Sequence, residues 1–216
     1  MPHDRRTILC CATYDDRACF NFYYIVRHYY WFVTLGEMNQ VEGLVRQTFM
    51  ADKVVNHDKM LIKLIIEKAK NGRCPKTIVF TNSMDKSEWI AGRLRLFKDI
   101  PCPFEVRTAS LCSAIHVEDR NLIYDAFLRP SEDPTSIDVI VSSDQIFCGV
   151  STPAELVVNY DIPREVSIYL LRVGRTARNG HFREAYTFVA SNNIKCLGHE
   201  KRQKLFNMIA VSCKST

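Results

Sequence analysis

At 216 residues, with 47% hydrophobic and 25% charged side chains, the chain has an ordinary globular composition, enough for one full core and an additional piece. Its formal charge of +5 suits a polyanionic partner but equally a solvated surface, so charge alone excludes neither. Nine cysteines occur without CxxC pairs or a recognisable signal peptide, so reduced thiols in a cytoplasmic or nuclear protein are expected.

In chain order, Thr7-Ile-Leu-Cys10 predicts a strand, a helix follows Ala12-Thr13, and Tyr30-Trp-Phe-Val33 predicts a further strand. Cys10, Cys11 and Cys19 have no His or Cys at ligand spacing, so no metal is expected. The aromatic run over 20–32 is interrupted by Arg27 and His28. It falls short of the roughly 20 apolar residues that cross a bilayer, so no membrane segment is expected. Residues 1–35 form a strand-helix-strand piece too aromatic to bury both faces unaided, and 36–40 read as a linker.

The main domain is expected over 41–216. Asn56 predicts a helix cap, Met60, Leu61, Leu64, Ile65 and Ala69 an apolar stripe, and Gly72 a stop. A strand over 77–80 follows, then a helix marked by Trp89, Ile90, Leu94 and Phe97. Further expectations are a strand over 104–108, a helix over 121–127 with Leu122, Ile123, Ala126 and Phe127, and strands over 137–141, 156–160 and 185–189. A closing helix is expected over 194–209. Continuous apolar strands alternating with helices indicate α/β architecture, a doubly wound parallel sheet with helices on both faces.

Ligands bind such sheets beyond the carboxyl ends of the strands. Three apolar strands here run into polar groups: Thr81-Asn82, Ser142-Ser143-Asp144 and Asn159-Tyr160-Asp161. Each could be a turn former; together they suggest a polar ligand edge. Arg172, Arg175 and Arg178 then recur every three residues where a helix should end in a Gly-containing turn. Arg175 and Arg178, one turn apart, can face one anion, and planar guanidinium forks suit phosphate. Surface ion pairing is the competing reading of both.

Taken together, these segments resemble the motifs of the DEAD-box RNA helicases, in the family's order. Arg6-Thr-Ile-Leu-Cys-Cys11-Ala12-Thr13 is similar to motif III, Phe32-Val-Thr-Leu-Gly36 with Val45-Arg-Gln47 to the family's interdomain crossing, with some likeness to its Vasa and Ded1 branches, and Thr77 to Asn82 to motif IV. Leu111 to Phe127 resembles the QxxR segment with Arg120 at its arginine, Ser142-Ser143-Asp144 motif V, and Tyr169 to Gly180 motif VI. The resemblance implies a RecA-like C-terminal domain, preceded by the end of a first RecA-like domain. It implies RNA contacts from Asn82, Arg120 and Ser143, and Arg175 and Arg178 as catalytic and ATP-binding arginines. Ser151 would stand at the ribose position, and Thr13, Asp144 and Arg172 would couple the sites, Arg172 pairing with a carboxylate such as Asp144.

Neither GxxxxGK[ST] nor Asp-Glu-Ala-Asp occurs, so ATP with Mg²⁺ is expected only where a first RecA-like domain is supplied in cis or trans, and no cofactor for the chain alone. Leu171, Cys148, Ser151, Val117 and Cys112-Ser113 replace residues usual in the family. The expected function is thus the second half of an RNA-dependent ATPase, gripping single-stranded or structured RNA and supplying arginines. The alternative is a non-enzymatic RNA-binding or adaptor module; a small α/β enzyme such as a methyltransferase lacks a glycine-rich first turn.

Overall fold

The computed structural model describes residues 45–52, 56–96, 101–143, 154–176, 183–190 and 206–210, with 8, 31 and 33 as isolated positions. The expected 1–35 piece and 36–40 linker therefore lie outside the described residues, apart from Ile8, Trp31 and Val33, all exposed. Strand β1 spans Val45–Asp52, helix α1 His57–Lys68, β2 Thr77–Thr81, α2 Met84–Leu96, β3 Thr108–Leu111 and α3 Val117–Leu128. They are followed by β4 Val139–Ser143, β5 Leu156–Asn159, α4 Val166–Val173 and β6 Arg183–Ala190. All six strands are parallel, in the order β1-β6-β5-β2-β4-β3.

The doubly wound expectation is met, and its cause is visible in the alternation along each strand. Ile78, Phe80, Ile140, Val157 and Ala185 point to one face, where Phe127 of α3, Tyr169, Leu170 and Val173 of α4, and Met208 cover them. Val79, Val139, Val141, Leu156, Val158 and Phe188 point to the other, against Leu61, Ile62, Leu64 and Ile65 of α1 and Ile90, Ala91 and Leu94 of α2. Asn56 caps α1 as expected, its side chain accepting from the Lys59 amide at 3.1 Å. The helix stops at Lys68, before Gly72. Asn71 (φ 53) and Gly72 (φ 70) instead make the turn closed by the Lys70–Arg73 bridge.

Several boundaries are corrected. The strand expected over 104–108 begins only at Thr108 and continues to Leu111, because its neighbour β4 starts opposite, at Val139. Trp89, one of the residues that mark the second helix in sequence, is 54% exposed and stacks against Arg93, with 5.6 Å from the guanidinium carbon to the ring centroid. Leu122 is also exposed, and only Phe127 of α3 is fully buried. The strand beginning at Val45 was read only as an interdomain crossing, yet pairs along its length with β6. Of the closing helix, 206–210 is described, and helical.

Candidate functional site

From β2 the chain runs outward to β3, returns to β4 beside β2, and then crosses to β5 on the opposite side of β2. That reversal is where doubly wound sheets open a crevice at their carboxyl edge. It brings together the three polar strand ends: Thr81 lies in register with Ser143, and Phe80 with Asn159.

Arg172 projects from α4 into the base of this crevice and is 1% exposed. One terminal nitrogen donates to Asp161 O at 3.0 Å and Asn159 Oδ1 at 3.5 Å, the other to Asn82 Oδ1 at 2.8 Å and Thr81 O at 3.3 Å. The guanidinium also lies 5.4 Å from the Phe80 ring centroid. Such a cation tolerates burial because its fork is met by oppositely polarised oxygens. It thereby fastens the end of β2 to that of β5. Its expected carboxylate partner, Asp144, lies outside the described residues.

Asn82 belongs to the same lock. Its backbone N–H donates to Asp161 Oδ2 at 3.1 Å and its Nδ2 to Ile162 O at 2.9 Å, while its Oδ1 accepts from Arg172. Lys86 forms an ion pair with Asp161. Both ends of the Asn82 amide are thus engaged within the protein, which gives this side chain a bracing position.

Ser143 differs from its neighbour. Ser142 Oγ donates to Leu111 O at 2.7 Å, whereas Ser143 Oγ is buried with no hydrogen-bond partner among the described residues. Leaving a hydroxyl so costs about 1–3 kcal/mol, which makes it a candidate for a polar ligand. Arg120, on α3, likewise has a buried Nε without a partner among the described residues.

Arg175, two residues beyond α4, is 8% exposed. Its Nε donates to Leu171 O at 3.1 Å, and its carbonyl accepts from the Ala154 amide at 3.3 Å. Arg120 and Arg175 both act on Tyr124, a residue that motif reading passes over. Burial pushes the Tyr124 phenol up to about 12, while the two guanidinium charges pull the other way. The available signal was its spacing, four residues beyond Arg120 on one helix face. Thr13, Ser151 and Arg178 lie outside the described residues.

No cluster of three or more His, Cys, Asp or Glu side chains able to hold a metal occurs among the described residues. No helix among them is long and apolar enough to cross a membrane. A cavity of about 620 Å³ lined by Ile62, Leu94, Arg95, Phe104 and Arg107 shares no residue with the carboxyl edge. Both of its arginines are already engaged, Arg95 with Thr108 O and Arg107 with Asp138.

The family described as helicase conserved C-terminal domain matches residues 56–180. The DEAD-box ATP-dependent RNA helicase 1 of Oryza sativa subsp. japonica is 33% identical over 125 residues, 57% of this chain and 22% of that protein. The chain spans about a quarter of the length of such curated relatives. The C-terminal domain of the DEAD-box protein Dbp5 superposes with a TM-score of 0.58 at 20% identity, covering 80% of this chain and 85% of that one. Saccharomyces cerevisiae Dbp5 bound to RNA and ADP BeF3 gives a TM-score of 0.71 at 19% identity, covering 100% of this chain and 50% of that one. At these identities the structures show a shared fold, and the sequence match supplies the family. A six-stranded parallel sheet of RecA-like form and a family match over 56–180 together place this chain in the helicase conserved C-terminal domain family, and the relatives it is similar to are DEAD-box RNA helicases.

Proposed function

We propose that this chain serves as the second RecA-like half of an RNA-dependent ATPase, holding the RNA backbone at its carboxyl edge and bringing arginines to a nucleotide site completed by a first RecA-like domain. The observation that carries the RNA side is the buried Ser143 hydroxyl at the sheet's reversal point, in register with Thr81 and without a hydrogen-bond partner among the described residues. A phosphate oxygen there would satisfy that hydroxyl. Arg120 supplies a second donor for the same polyanion, while Asn82 acts from beneath by holding Arg172.

ATP with Mg²⁺, held only when a first RecA-like domain contributes a phosphate loop and an acidic motif, supplies the phosphoryl group. Toward it this chain offers Arg175 and Arg178, whose fixed charges stabilise negative charge only once two domains meet. Ser151 takes the ribose side. Dbp5 seen with RNA and ADP BeF3 on this fold supports the arrangement.

The RNA side is tested by filter binding of a single-stranded oligonucleotide at two salt concentrations. Backbone contact predicts binding that weakens as salt rises, and Ser143→Ala weakens it by about tenfold at fixed salt. Because the hydroxyl has no partner among the described residues, the same variant is expected to keep the parent's unfolding midpoint or to raise it. Salt-independent binding, or none, would sink the reading.

The second reading is a non-enzymatic RNA-binding module. The engagement of Arg175 with Leu171 O at 8% exposure favours it, since that Nε is turned back on its own helix. It predicts the same RNA binding with no ATPase activity in any domain combination.

A further inference from the structure

The cavity of about 620 Å³ lies at the amino ends of β3 and β4, the opposite edge of the sheet from the crevice: Thr108, which opens β3, and Ile137, two residues before β4, both line it. Ile62 of α1, Leu94 of α2, Phe104 and Val106 make its wall largely apolar. Arg95 stands in the same wall, and its Nε and one terminal nitrogen both donate to Thr108 O, at 3.0 and 2.9 Å. That carbonyl carries no net charge, so the guanidinium is held in place without being neutralised. Arg93 has Asp58 at 3.4 Å and Arg107 has Asp138 at 2.9 Å, whereas Arg95 pairs with no carboxylate among the described residues. On α1, Lys59 and Lys63 are exposed, flank Ile62 in sequence and likewise make no ion pair among the described residues. Against these three cations the wall holds one carboxylate, Glu105.

We propose that this cavity docks an acidic peptide segment of a partner protein, one large apolar side chain entering beside Ile62, Leu94 and Phe104 while a neighbouring carboxylate pairs with Arg95. The excess of unpaired cations selects the charge of the occupant. The outer face of α2 selects its length. Trp89 and Leu96 are both exposed there, and their spacing puts them on one face with Gly92 between them. A Cβ added at Gly92 would meet no atom within 4 Å, so the fold leaves that stretch bare although glycine inside a helix is unfavourable. From Trp89 to Leu96 is about 10 Å along the helix, the span of roughly three extended residues. A small free acid would fill the cavity and leave this track uncovered; a peptide covers both. Docking at the amino edge leaves the carboxyl edge open, so such a partner binds without competing for the crevice.

The test uses the full chain and an array of 12-residue peptides in which acidic residues surround a single Phe, Trp, Leu or Met. Matched sets replace the acids by lysine or the apolar residue by alanine. The acidic set with its apolar residue is expected to bind, and neither control set. On titration with the tightest peptide, the methyl signals of Ile62 and Ile137 are expected to shift, while that of Ile162, beside the Arg172 lock, stays. Arg95→Gln is expected to weaken binding about tenfold, and Arg95→Lys, which keeps the charge, by less. Gly92→Gln fills the track and should also weaken binding while keeping or raising the unfolding midpoint. It decides the matter if Arg95→Gln proves poorly folded. Failure of every acidic peptide to bind, binding that shifts Ile162 alone, or binding unaffected by either substitution would overturn the proposal. Single-stranded oligouridine that displaces the peptide and shifts Ile62 and Ile137 would overturn it in favour of RNA.

Discussion

Replacing Asp138 by alanine is expected to cost about 3–5 kcal/mol of stability, read as a lower urea midpoint at unchanged slope. Asp138, 2% exposed, accepts from Arg107 Nε at 2.9 Å and from a terminal nitrogen of the same guanidinium at 3.0 Å. The Lys76 ammonium lies 3.9 Å away. Burial holds the Lys76 pKa below the ordinary lysine value, with the Asp138 charge as the chief opposing influence. Removing the carboxylate would leave Lys76 and Arg107 facing each other with no counter-charge between them. The residue also stands at a backbone junction, which alanine keeps: the Asp138 carbonyl accepts from Thr77 N at 2.9 Å and its amide donates to Arg107 O at 2.8 Å. The starts of β2, β3 and β4 therefore share this residue. Asp138→Asn, which retains one carbonyl acceptor, is expected to fall between the two. An alanine variant with the parent's midpoint would show that the cluster contributes nothing net.

Arg172→Ala should lose at least about 3 kcal/mol, since it abandons Thr81 O, Asn82 Oδ1, Asn159 Oδ1 and Asp161 O in a site 1% exposed. Each orphaned acceptor costs about 1–3 kcal/mol where water cannot enter, although relaxation makes the sum less than additive. Arg172→Lys is expected to recover only part of the loss, because an ammonium cannot reach both strand ends as a planar fork does. The contrast with Ser143→Ala is diagnostic. One arginine holds the edge together, whereas the serine hydroxyl is held by nothing among the described residues. Equal effects on stability from the two changes would contradict that division.

The parts of this structure legible in sequence are those set by local rules. Asn56 as a cap, the β-branched run at 77–80 and the polar strand ends all carried their own signal. The first arginine of the triplet is set apart in sequence as a structural partner, but the four oxygens it meets are not legible there. Arg172 points into the crevice because α4 leads back across the sheet, and sequence spacing does not report that. β3 was misplaced because Phe104 and Val106 alternate like strand residues, yet pack as a partly buried wall against the second core cluster. β1 was missed because, over 45–51, only Val45 is fully buried, and its pairing with β6 sets its register.

The most direct measurement of the central claim is RNA-stimulated ATP hydrolysis after this chain is joined or mixed with an active first RecA-like domain. No hydrolysis is expected from the chain alone, turnover dependent on RNA once the first domain is present, and loss of that turnover in Arg178→Ala. Absence of turnover in every combination, or turnover unchanged by Arg178→Ala, would contradict it.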